Sequence, residues 1–357
     1  MGKPSDKNAR SRHSILIILM GSLGDVARGL CLVCHIKLNL PQSRITWLVE
    51  TKWAELVRFH AQIDEVIVFK RAWHYSALWE LYRDLSRRQF DITLDLQRIL
   101  KSGFFSLLSG ARRRIGFHRR NAKEFNWIFN NEHIDYQSDK LPKIEHYLKF
   151  TEYLGLPDPD TIDFGVSSSK LRQMLPSVIA GLKNPFIAIV LGASWESKNW
   201  LFEEYLNLVQ HILSDRKLQV VLVGDRSQTT ASKALSQRVN ESDLINLVAQ
   251  TSLLELAAVL QAAVSGIGPD SGPGHLAAAV GTPYVTLFGP TSPERTAPYG
   301  CEHLVVQTEL ECSPCYERQC PEHNQRCMRD ICADAVIKKL SLALKLGFNL
   351  QHEISKR

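Results

Sequence analysis

The sequence predicts an α/β protein of two domains, each a parallel sheet covered by helices. Three observations carry that prediction. Short apolar runs alternate with helix-length stretches along the chain. A segment rich in Pro, Asp and Ser, residues 156–169, interrupts the alternation near the middle and reads as a linker. Glycine-containing turns close several apolar runs, as happens where strands of an open sheet hand over to helices. The length agrees, because 357 residues are many for one core and ample for two.

In the first half, Ser14–Met20, Ile45–Val49, Val66–Phe69 and Ile92–Leu96 read as strands. Val26–Leu38, Ser76–Arg88 and Lys101–Leu108 read as the helices between them. A second series has strands at Phe186–Leu191, Gln219–Gly224, Ala263–Gly268 and Tyr284–Phe288. A last helix, Asp334–Leu346, is a candidate to return to the first domain. The division is thus residues 1–165 and 166–357, two Rossmann-like domains facing a cleft. The first twelve residues are polar and charged and read as a loose end.

Composition narrows the partners. The chain is 45% apolar and 22% charged, ordinary for a globular protein. No apolar run reaches the ~18 residues of a membrane span. The run Ser14–Met20 is too short for a signal peptide, so a cytoplasmic protein is expected. Residues 1–150 hold 25 Lys+Arg against 15 Asp+Glu, a net of +10, while the remainder carries −4. Such a first half suits an anionic partner: a phosphorylated lipid, a membrane surface or nucleic acid. Its densest cluster is Arg112-Arg113-Arg114 with Arg119-Arg120, preceded by Arg98 and Lys101. Arginine forks match phosphate and carboxylate. No RNA-binding module accompanies them, so nucleic acid is not expected, and Arg112 and Arg113 read equally as a solvated face.

The segment from Pro269 to Pro293 says most about chemistry. The strand ending near Gly268 runs through Asp270-Ser271-Gly272 into a short helix, His275–Val280. A second strand then ends in Gly289-Pro290-Thr291. A strand, a glycine turn and a helix start put unpaired backbone N–H groups and a positive dipole end at one point, a place for a phosphate or diphosphate. Asp270 at its mouth suits a sugar or ribose hydroxyl. The plainer alternative is that Gly272 and Gly274 merely permit the turn and that Asp270 or Ser271 is an ordinary helix cap.

Asp270-Ser271-Gly272-Pro273-Gly274-His275-Leu276-Ala277-Ala278-Ala279, followed by Pro283 and Leu287-Phe288-Gly289-Pro290-Thr291, closely resembles the donor-site signature of the bacterial lipopolysaccharide heptosyltransferases, glycosyltransferase family 9. Gly21-Ser22-Leu23-Gly24-Asp25 resembles that family's first-strand motif, and Lys198-Asn199-Trp200 its Lys-x-Trp pair. The resemblance implies the GT-B fold. It implies an inverting transfer of L-glycero-D-manno-heptose from an ADP-sugar donor to the lipopolysaccharide inner core. The acceptor would be an anionic glycolipid, met at the inner face of the inner membrane.

The same resemblance makes Asp25 the catalytic base and Lys198 the group that neutralises the departing diphosphate. Ser194, Asp225, Asp270, Ser271, Gly272 and His275 would complete the donor site, with Asp225 toward the ribose. Arg98, Lys101, Arg114, Arg119 and Arg120 would meet the acceptor. No cofactor or metal is required if Lys198 and the helix dipole carry the leaving-group charge. Without the resemblance, Asp25 reads as a carboxylate serving the dipole of its helix. A nucleotide-sugar epimerase of the same fold and a non-catalytic nucleotide- or lipid-binding relative remain as alternatives.

Eight cysteines complete the inventory. Cys31 and Cys34 sit in the first helix and read as buried apolar residues. Cys312, Cys315, Cys320 and Cys327 form C-x2-C-x4-C-x6-C with His323 inside. The segment resembles one that follows the donor site in the same family, which implies a structural loop clip, with zinc or free thiols as the alternatives.

Overall fold

A computed structural model describes residues 13–70, 75–215, 217–239, 242–321 and 324–355. The N-terminal end, whose looseness was an expectation, and His323 fall outside these. Two compact units divide between Val166 and Ser167.

The first unit is a six-stranded parallel sheet in the order β3-β2-β1-β4-β5-β6. Its strands are β1 Ser14–Ile18, β2 Arg44–Glu50, β3 Glu65–Phe69, β4 Ile92–Asp95, β5 Arg113–Gly116 and β6 Glu132–His133. Its helices are α1 Leu23–Asn39, α2 Ala54–Phe59, α3 Tyr75–Ser86, α4 Leu100–Leu108 and α5 Lys143–Tyr153. Ile15 to Ile18 are wholly buried, which is why β1 reads as an unbroken apolar run rather than an alternating one. Leu16, Ile18, Leu48, Phe69, Leu81, Leu85 and Phe105 form a core on one face of this sheet.

The second unit is a six-stranded parallel sheet in the order β12-β11-β10-β7-β8-β9. Its strands are β7 Phe186–Val190, β8 Gln219–Val223, β9 Leu244–Asn246, β10 Ser265–Pro269, β11 Tyr284–Phe288 and β12 Val305–Gln307. Its main helices are α8 Phe202–Ser214, α9 Thr229–Val239, α10 Leu253–Ala262, α11 Gly272–Ala279 and α14 Ala333–Ser355. Single turns α6 Ser169–Arg172, α7 Ser177–Ala180, α12 Pro293–Thr296 and α13 Arg326–Arg329 fill the connections. The final helix, expected as a return to the first domain, packs on α8, β10, β11 and β12 of its own unit. Its Gly347 lies so close to the Val264 carbonyl that no Cβ would fit.

Each sheet reverses its strand order once, between β1 and β4 in the first unit and between β7 and β10 in the second. At such a reversal the flanking connections leave in opposite directions and open a crevice at the carboxyl ends of the strands. Asp25 lies at the first of these places, and Lys198 and Asp270 lie at the second.

Candidate functional site

In the first unit the reversal is closed by one side chain. Gln97, just past β4, accepts the N–H groups of Met20 and Gly21 at 2.8 and 3.3 Å and donates to the Gly21 carbonyl at 2.9 Å. Trp53 closes the other side, and a Cβ on Gly21 would fall 2.6 Å from its Nε1. The chain therefore leaves β1 in a fixed direction and enters α1 with Asp25 in its first turn.

Asp25 is held unequally at its two oxygens. Oδ1 accepts from Arg28 Nη2 at 2.7 Å, Lys143 Nζ at 3.0 Å and Tyr147 Oη at 3.2 Å. Among the described residues Oδ2 has only Ser22, whose hydroxyl and N–H lie at 3.2 and 3.4 Å. Burial works to raise the Asp25 pKa, but the charges of Lys143 and Arg28 and their hydrogen bonds outweigh it. The carboxyl is held far below the usual carboxylate range. Burial, and next the Asp25 charge, push the Tyr147 hydroxyl well up, so it stays a donor. Arg28 could be found in the sequence from its i,i+3 spacing to Asp25. Lys143 and Tyr147 could not, since α5 lies more than a hundred residues along the chain.

In the second unit Lys198 follows β7 and Asp270 follows β10, the two strands that flank the reversal. Lys198 Nζ donates to Asp270 Oδ2 at 2.6 Å and to its carbonyl at 3.1 Å. Thr291 Oγ1, past β11, donates to the same Oδ2 at 2.7 Å. His275 Nε2 is 4.0 Å from Oδ1. Asp270 and His275 are buried, and Lys198 is 13% exposed, with Nζ 4.6 Å from the centre of the Trp195 ring. Ser271 precedes α11 but donates its hydroxyl to the Pro269 carbonyl, and no side chain caps the helix. Pro273 has no N–H and the Gly274 N–H donates to the Ser271 carbonyl at 3.2 Å, so the Gly272 N–H is the donor this helix start offers.

Gly274 is explained by packing: with Gly266 and Gly268 it borders the buried Tyr284 ring, which a Cβ at any of the three would approach within about 3 Å. Ser194 is exposed at the β7 corner. Asp225, past β8, caps the following turn, its Oδ1 accepting from Ser227 N–H and Oγ at 2.7 and 2.6 Å.

The basic set divides. Arg98 donates to the Asn121 carbonyl and lies over Phe117. Lys101 pairs with Glu50 at 3.3 Å and lies over Phe69. Arg114 donates to the carbonyls of Phe129 and Ala111. These three are used within the fold, whereas Arg119 and Arg120 are exposed. Arg113 pairs with Glu132 at 2.7 Å.

The cysteine-rich segment acts as a strap, but through oxygens and nitrogens. Ser197, on the Lys198 turn, donates its N–H to the Arg318 carbonyl and its hydroxyl to that of Glu317. Ser313 donates to the Gly289 carbonyl and the Tyr316 N–H to that of Pro290. The strap therefore joins the ends of β7 and β11. Cys312, Cys315, Cys320 and Cys327 are free thiols. Burial, with the neighbouring cysteines, pushes Cys327 up to about 11. Among the described residues no group of three or more His, Cys, Asp or Glu is arranged to hold a metal.

Each unit thus presents one polar corner at its reversal, a fixed carboxylate in the first and a helix start beside a lysine in the second. Residues 78–325 match Glycosyltransferase family 9 (heptosyltransferase), and the chain belongs to that family. It is 27% identical over 303 residues to the lipopolysaccharide core heptosyltransferase OpsX of Haemophilus influenzae, covering 84% of this chain and 85% of that protein. It is 26% identical over 320 residues to lipopolysaccharide heptosyltransferase 1 of Pseudomonas aeruginosa, covering 86% and 87%. The fold matches the Escherichia coli ADP-heptose LPS heptosyltransferase II with a TM-score of 0.75 at 21% identity, over 95% of this chain and 99% of that one. It also matches the E. coli heptosyltransferase WaaC solved with ADP, TM-score 0.76 at 22% identity, over 92% and 99%. Among the described residues no helix is long and apolar enough to cross a membrane.

Proposed function

We propose that this glycosyltransferase moves L-glycero-D-manno-heptose from ADP-heptose to a sugar hydroxyl of the lipopolysaccharide inner core, with inversion. The observation that carries the donor half is the Lys198–Asp270–Thr291 cluster beside the uncapped start of α11. The names of the relatives support the sugar and the acceptor.

In this reading the diphosphate lies against the start of α11, where the Gly272 N–H faces it, and Lys198 turns part of its charge from Asp270 to the phosphate. Asp270 then faces the sugar or ribose hydroxyls, with Ser194, Ser271, Gly272 and His275 around the same corner and Asp225 toward the ribose. Asp25 takes the proton of the acceptor hydroxyl. That oxygen bonds to the anomeric carbon while the bond to the β-phosphate oxygen breaks, and ADP leaves with the electron pair.

A carboxylate as firmly held as Asp25 is a weak base, which sets the timing. It cannot deprotonate a resting alcohol. It can accept the proton once the new C–O bond is forming and the attacking oxygen has become strongly acidic. Oδ2 is the oxygen for that role, because Oδ1 already serves three donors. Exposed Arg119 and Arg120 meet the anionic acceptor, which is reached at the inner face of the inner membrane.

Calorimetric titration tests the donor half. Wild type is expected to bind ADP and ADP-heptose, and Lys198→Ala to bind ADP at least about tenfold more weakly. Unchanged ADP binding in Lys198→Ala would remove the lysine from the diphosphate site.

A further inference from the structure

The first unit exposes large apolar side chains where a globular surface usually buries them. Phe125 is 71% exposed and Ile128 55%, with Trp127 between them also exposed. All three sit on or beside the short turn Asn126–Phe129, which packs against α4. Leu100 and Leu107, seven residues apart on one face of α4, are exposed as well, and Phe104 between them meets Phe129 ring to ring. On its other side α4 packs against α3, whose Trp79 is 52% exposed. The turn is not loosely attached. Asn126 donates to buried Asp95 at 2.6 Å and to the Ile99 carbonyl at 2.7 Å, and Arg114 grips the Phe129 carbonyl.

The setting is basic. Residues 98–128 contain eight Lys and Arg and a single acid, Glu124. Arg112, Arg119, Arg120 and Lys123 of this stretch are exposed. Glu124 is engaged at the start of α4, where it accepts the Leu100 N–H. Aromatic and aliphatic side chains accompanied by cations are the composition of a surface that dips into a bilayer interface and meets anionic headgroups. A protein partner would be expected to meet such a charge with a complementary acidic face; a bilayer rich in anionic lipid supplies it everywhere.

Position adds a reason. The loop carrying Phe125 to Ile128 follows the end of β5, and Leu100 lies three residues past Gln97, which fixes the Asp25 corner. The apolar turn and the Asp25 carboxylate therefore belong to the same carboxyl edge of one sheet.

We propose that the turn around Phe125, Trp127 and Ile128, with the exposed face of α4, is an anionic-membrane docking surface that brings the first unit to its lipid-linked acceptor. The acceptor half of this proposal rests on the function proposed above; the docking half does not.

Sedimentation of the full chain with vesicles tests it. The lipids are phosphatidylethanolamine with phosphatidylglycerol in one set and phosphatidylcholine alone in the other. Wild type is expected to bind the anionic set more tightly, with a part lost at high salt and a salt-resistant remainder. Phe125→Ser with Trp127→Ser and Ile128→Ser removes the remainder, weakening binding by about tenfold or more. Because the three side chains are exposed, this variant should keep its thermal midpoint and its turnover on a lipid-free soluble acceptor within about twofold. Arg112→Ser with Lys123→Ser, a second exposed pair, removes much of the salt-sensitive part. Wild-type binding indifferent to lipid charge, or a triple variant that binds like wild type, would overturn the docking surface. So would failure of wild type to bind either vesicle, the result expected if a protein covers the patch. Vesicle binding as described together with no heptose transfer to any acceptor would overturn the proposed reaction and leave the surface standing.

Discussion

Asp25 shows what a single residue's surroundings add to a motif. The sequence offers a carboxylate at a helix start, and the fold decides its strength by bringing Lys143 and Tyr147 from α5 to the oxygen that Arg28 already holds. Asp25→Asn is expected to lower kcat by roughly a hundredfold or more and leave donor binding nearly intact, as steady-state kinetics and calorimetry would show. Lys143→Met removes one of the two cations that hold the carboxyl down, so its pKa rises. The base works deprotonated, so the acidic limb of the kcat/KM profile should move to higher pH. A profile unmoved by that change would mean that Asp25 is not the titrating base. In the second unit, Asp270→Ala is expected to reduce ADP-heptose affinity and turnover more than ADP affinity, which competitive titration would measure.

At the scale of elements, the sequence is legible where strands are long and buried, and silent where they are short. β11 falls on its expected residues, and β1, β2, β3, β4, β7 and β8 within two residues of theirs. The short strands β5, β6, β9 and β12 have two to four residues each, too few to show a period, and pass unread. α11 begins three residues before its expected start, because Gly272 and Pro273 are compatible with a first turn even though neither favours a helix interior. The two corners were legible because glycine and aspartate are placed there by the backbone; α5 was not, because what it contributes is a long-range contact. Gln97 is the test at this scale. Gln97→Leu strands two N–H groups and a carbonyl of the β1–α1 corner. It is expected to cost about 2 kcal/mol or more of stability in denaturant unfolding, and to lower kcat as Asp25 loses its fixed direction.

For the whole molecule, charge and burial give two further expectations. The acceptor KM should rise with salt more steeply than the donor KM, since exposed Arg119 and Arg120 are screened and the largely buried Lys198–Asp270 corner much less. Stability should also depend on pH through His60. It is 1% exposed, and burial lowers its pKa to about 4 against the opposing charge of Asp163. Between the ordinary value of 6.5 and about 4 the unfolded chain binds the proton and the folded chain does not. Stability therefore falls as pH drops through that window, by up to roughly 3 kcal/mol, and His60→Gln should flatten the loss in unfolding titrations at stepped pH. The central claim, however, is the reaction. Purified protein incubated with ADP-heptose and a heptose-free lipopolysaccharide core should release ADP and add one heptosyl group of inverted anomeric configuration, seen by mass spectrometry and NMR. Asp25→Asn should bind the donor and leave the acceptor almost unmodified. An acceptor unchanged by wild type under saturating donor, or a product of retained configuration, would contradict the account.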